Sequence, residues 1–93
     1  AGGDELLRTR IKAARLHAQY CALAKESEYL ERVEKDFARA IEVENRIGKF
    51  LDENADFLVG NGFFAGKGQL NSAKGWGLNR RLQGLQRALK KKG

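Results

Sequence analysis

His17 and Cys21 stand four residues apart, a spacing that puts two soft ligands on one face of a helix. The chain has no other His or Cys, and a closed structural zinc site takes four ligands. The pair therefore reads as a small buried thiol beside a boundary imidazole, and no metal site is expected. Gly62-Phe-Phe-Ala-Gly66-Lys67-Gly68 has the glycines and the lysine of a phosphate-binding loop. It is one residue short of G-x-x-x-x-G-K, lacks the Ser/Thr that follows, and comes after a helical pattern where such a loop needs a strand. No nucleotide or other cofactor is expected. Asp52, Glu53 and Asp56 bring three carboxylates close together, but separating their pKa values would take an enclosed cleft. With 93 residues there is little volume for one, and a solvated helix face is the default. No catalytic residue is assigned, and the chain reads as non-enzymatic.

Phe63, Phe64 and Trp76 are a different case, because they lie in a segment without an apolar helical row. Residues 60–77 hold six glycines in eighteen positions, and glycine lets a backbone lie close against a surface. Large aromatics on such a segment have the composition of a docking anchor. The alternative is that they fold back to cap a small helical core. Cations accompany them, so the candidate partner-docking set is Phe63, Phe64, Lys67, Trp76, Arg80, Arg81 and Arg87.

Charge separates the chain into two parts. Residues 1–59 carry ten Lys/Arg against twelve Asp/Glu, a net of −2. Residues 60–93 carry eight Lys/Arg and no acid. The overall +6 is thus a property of the last third, and such asymmetry marks an attachment surface. The expected organisation is a net acidic helical body over 1–59 and a basic glycine-rich docking arm over 60–93, forming one structural unit.

The elements that must carry these residues are helical. Proline is absent, and no glycine falls between Gly3 and Gly48, so residues 4–47 lack a strong helix breaker. Leu16, Leu23, Leu30, Phe37, Leu51 and Leu58 recur by sevens, interrupted only by Glu44. Tyr20, Val33, Ile41, Ile47 and Ala55 fall three or four residues from that row, completing an amphipathic stripe. A shorter row, Leu7, Ile11, Ala14, Ala18 and Cys21, widens the apolar surface near the start. Acids precede bases by four residues at Asp4–Arg8, Glu28–Arg32, Glu31–Lys35 and Glu42–Arg46, the favourable orientation for helical pairs.

The fold class is all-α. Residues 4–58 form either an amphipathic hairpin or one long helix, 59–77 an irregular glycine-rich segment, and 78–91 a short basic helix on the row Leu78, Leu82, Leu85, Leu89. A hairpin would break at Lys25-Glu26-Ser27-Glu28, with Ser27 as N-cap. An unbroken helix from Asp4 to Ile47 would run about 66 Å, roughly twice the diameter of a compact domain of this size. Gly48 is the expected end or kink of the element.

These features imply a small accessory subunit that attaches through its basic, aromatic-containing arm to a larger complex with an acidic surface, or to anionic lipid headgroups beside one. No apolar run reaches the ~20 residues that cross a bilayer. The absence of Met, even at position 1, and the start Ala1-Gly2-Gly3 suit removal of a targeting peptide. That favours an organellar or exported setting, such as a photosynthetic or respiratory assembly. The second reading is RNA binding by a small ribosomal-type protein, with arginines on phosphates and aromatics on bases. The acidic body counts against it. A third takes residues 78–92 as a basic amphipathic helix on an anionic membrane surface.

Overall fold

The computed structural model describes residues 2–61, 63–64 and 66–92. Gly62 and Ala65, which belong to the phosphate-loop comparison above, lie outside the described residues. The chain is all-α: α1 (Gly2–Tyr29), α2 (Phe37–Glu53), α3 (Ala55–Leu58), α4 (Lys67–Ser72) and α5 (Asn79–Lys92). A π-helical turn, Leu30–Glu34, extends α1, and a second, Ala73–Leu78, joins α4 to α5. Residues 67–92 therefore form one continuous helical rod.

Of the two arrangements left open by the sequence, the hairpin forms, but it turns ten residues later than Lys25–Glu28. Lys35 adopts a left-handed conformation (φ 56°, ψ 32°) and its N–H bonds to the carbonyl of Leu30. Asp36 N–H bonds to the same carbonyl at 2.8 Å, and the Asp36 carboxylate caps α2 by accepting from Arg39 N–H at 3.2 Å. Ser27 is no cap. It is fully buried inside α1 and donates its hydroxyl to Glu44 at 2.7 Å. The in-phase leucines at 16, 23 and 30 carry α1 straight through the expected break.

α2 runs on through Gly48 instead of ending there. A Cβ at that position would sit 3.0 Å from Leu78 Cδ2, so the glycine serves close approach between α2 and the C-terminal rod. Asn54 then ends α2, with its Nδ2 donating to Phe50 O at 2.9 Å.

The irregular segment is shorter than 59–77. Only residues 59–66 separate α3 from α4. Gly60, at φ 99°, turns the chain, and Phe64 N–H returns to Leu58 O at 3.2 Å. Gly68, Gly75 and Gly77 are helical, each at a cost of about 1 kcal/mol relative to alanine. Leu70 and Leu85, on the same rod, are buried, and each contributes about 1.5–3 kcal/mol. Tertiary burial thus outweighs local propensity and holds the rod helical from Lys67.

The core lies along α2. One cluster joins Leu16, Ile47, Leu51, Leu58 and Leu70; the other joins Leu30, Ala40, Val43 and Leu85. α2 packs against α1 on one side and α5 on the other, giving an elongated molecule of 57 × 25 × 16 Å. Among the described residues, no helix is long and apolar enough to cross a membrane.

Candidate docking face

Arg81 and Arg80 are neighbours in sequence with opposite fates. Arg81 lies beside the buried row of α5, three residues after Leu78 and four before Leu85, so its side chain points into the molecule. Its Nε bonds to Glu44, its Nη1 to Glu31 Oε1 at 2.9 Å and its Nη2 to Ser27 Oγ at 2.9 Å. Glu44 is only 3% exposed. Burial alone would lower the Arg81 pKa; the hydrogen bonds to Glu44 and Glu31 and their charges outweigh it and raise it. The guanidinium stays charged and neutralises an acid in the core, which places Arg81 in an internal network and away from the outer face.

Lys74 pairs with the exposed Asp52 at the surface, tying the second π turn to α2. The carboxylates grouped in the sequence disperse accordingly: Asp52 faces Lys74, Glu53 faces Lys49 at 3.8 Å, and Asp56 is exposed. Glu31 reaches Arg81, and Glu28–Arg32 forms as expected at 2.9 Å.

Phe63 and Phe64 are half-buried against the Leu16–Leu58 cluster, and the Phe63 ring lies 6.3 Å from that of His17. Both rings cap the core. Their position is the fold-back alternative, and the short closed loop around Gly60 accounts for it. Trp76 behaves otherwise. It projects from the second π turn and is 71% exposed. Arg80, Gln83, Arg87, Lys90 and Lys91 are all exposed as well, and with Trp76 they follow spacings of three, four and seven that keep them on one side of the rod. The stripe from Trp76 to Lys91 is about 22 Å long at 1.5 Å per residue. Among the described residues, none of its four cations has an ion-pair partner. Lys67 is exposed too, at the start of the rod.

Cys21 Sγ lies 3.6 Å from His17 Nε2, but among the described residues no group of three or more His, Cys, Asp or Glu could hold a metal ion. A cleft of about 540 Å³ runs between α1 and the rod, with Ile47 and Leu51 among its lining and Arg81 and Glu44 at its polar end. Those two charged groups already satisfy each other. Leu85 packs against Val43 and Ala40 of α2, while Leu89 at the end of the same row is exposed.

The sequence carried a signal that some cation enters the core, though not that it is Arg81 and not Arg80. Glu44 interrupts an otherwise apolar seven-residue row, and a buried carboxylate requires a cation. No protein-family model matches this chain, and neither do any curated protein or solved structure.

Proposed function

We propose that the chain is a non-enzymatic docking subunit of a larger assembly, held to an acidic protein surface by the outer face of its C-terminal rod. The observation that carries this reading is Trp76, a large indole 71% exposed at the head of an acid-free cationic stripe. Exposure at that level gives the side chain no part in the core, and an aromatic rimmed by arginines has the composition of an interface anchor. Arg80, Arg87, Lys90 and Lys91 supply the attraction; Trp76 supplies the desolvated contact. Phe63, Phe64 and Arg81 support the face from within by fixing the loop and the rod against α1 and α2.

The test is co-purification of the chain with its assembly from native cells. Trp76→Ala is expected to weaken retention by about 2 kcal/mol, roughly thirtyfold, as for a central anchor. Its melting temperature should stay unchanged, because exposed substitutions act within about 0.5 kcal/mol. Arg80→Gln with Arg87→Gln should weaken retention at low salt and leave what remains less sensitive to salt, since the attraction that salt screens has been removed. Tight binding of generic RNA at physiological salt, lost in the Arg80/Arg87 variant, would replace this reading with the nucleic-acid one.

A further inference from the structure

The face of α1 opposite the core is apolar where solvent should favour polar residues. Leu16 is buried, and Leu7 lies nine residues before it, two and a half turns at 3.6 residues per turn. Leu7 therefore faces away from α2, together with Ile11, Ala14, Ala18 and Cys21. The row that the sequence suggested would widen the core face forms a separate seam on the outer side. Leu7 is 58% and Ile11 46% exposed; Ala14 and Ala18 are exposed and Cys21 half-buried. Their spacing of four, three, four and three is the 3.5-residue repeat of a helix–helix seam.

The borders of the seam are cationic. Residues 6–25 contain Arg8, Arg10, Lys12, Arg15 and Lys25 and no acid. Arg8 and Arg15, seven apart, line one edge, and Arg10 lines the other; all three are exposed. Lys12 turns the other way, 4.6 Å over the Phe57 ring.

We infer that this face is a second docking surface, and that its occupant is a partner helix with a small-residue apolar seam bordered by Asp and Glu. Charge selects that occupant. A second copy of this chain would bring arginines against arginines or neutral residues in either orientation, and like charges across a seam are destabilising. A lipid surface would gain little, since Ala14 and Ala18 offer scant apolar area for insertion. Those same alanines favour a helix, because small side chains at the contact bring helix axes to the short end of the 8–10 Å range. An acidic border on the partner then meets Arg8, Arg15 and Arg10 along about 21 Å of seam, from Leu7 to Cys21. This surface lies on a different helix from the Trp76 stripe and does not rest on the function proposed above.

The full chain is titrated, by fluorescence anisotropy, with two labelled synthetic helical peptides sharing an Ala/Leu seam, one bordered by Glu and one by Lys. Vesicles of 70:30 phosphatidylcholine:phosphatidylserine form the third arm. The Glu-bordered peptide should bind at least tenfold more tightly than the Lys-bordered one. Ile11→Asp should lower that affinity tenfold or more while leaving the circular dichroism melt unchanged. Arg8→Glu with Arg15→Glu should reverse the peptide preference, and Trp76→Ala should leave it untouched, which separates failure here from failure of the C-terminal face. Equal or absent binding of the two peptides overturns the inference. So does a preference for the vesicles, or self-association of the chain that Ile11→Asp abolishes.

Discussion

Glu44 is the residue on which the polar architecture of this protein turns. It occupies the position of a leucine in the apolar row of sevens, and it is accommodated because Ser27 and Arg81 both bond to it. Breaking such a pair by removing one partner strands a buried charge and costs about 3–5 kcal/mol. Arg81→Ala is therefore expected to lower the urea midpoint severely, whereas Arg80→Ala, one residue away on the exposed side, should leave it within experimental error. Replacing Ser27, Glu44 and Arg81 together by Ala, Leu and Met should restore stability to within about 2 kcal/mol of the parent, because a packed apolar substitute is often as stable as the ion pair it replaces. A single Arg81→Ala variant as stable as the parent would show that Glu44 finds water in the cleft beside it. The sequence displayed the interruption at Glu44 plainly but not its partner. Ser27 lies 17 residues away and Arg81 37, and no local period connects them.

At the scale of elements, the all-α class and the α1 and α2 faces were legible because Leu16, Leu30, Ile47 and Leu51 repeat with helical spacing over many turns. The turn was not. Lys25–Glu28 offers an N-cap serine in a polar stretch, yet the chain bends at Lys35–Asp36, where a lysine takes a backbone conformation that glycine or asparagine usually supplies. The left-handed region costs a non-glycine residue about 1–2 kcal/mol, and glycine returns part of that gain through its greater unfolded freedom. Lys35→Gly should accordingly raise stability by about 0.5–1 kcal/mol, read from chemical denaturation. Asp36→Ala should lower it by about 1 kcal/mol through loss of the cap on Arg39 N–H. If Lys35→Gly destabilises instead, the side chain of Lys35 contributes more than its backbone conformation costs. The glycine-rich stretch misled for the complementary reason: Gly68, Gly75 and Gly77 lower local propensity, and the burial of Leu70 and Leu85 that overrides it comes from residues far away in sequence.

For the whole molecule, the charge boundary near residue 60 does not coincide with a structural boundary. Residues 1–59 and 60–93 differ sharply in net charge, and the sequence reads as an acidic body and a basic docking arm within one structural unit. The rod packs on its own hairpin: Leu70 joins the Leu16–Leu58 cluster, Leu85 joins Leu30, Ala40 and Val43, and Arg81 bridges α1 and α2. Leu85 is 1% exposed, so the rod is a structural member of the core with a charged outer face. A chain ending at Val59 should then lose one buried leucine from each core cluster, Leu70 and Leu85, and deprive Glu44 of its cation. Its exposed Ile47, Leu51 and Val43 would form an apolar strip on a hairpin too small to bury it, the condition under which helices persist without fixed packing. The expected result is residual helix by circular dichroism, binding of a hydrophobic dye, concentration-dependent sedimentation and a broad melt, beside a single sharp transition for the full chain. A monomeric truncated chain with a sharp, two-state melt would show that the hairpin carries its own core and that residues 60–93 are separable from it.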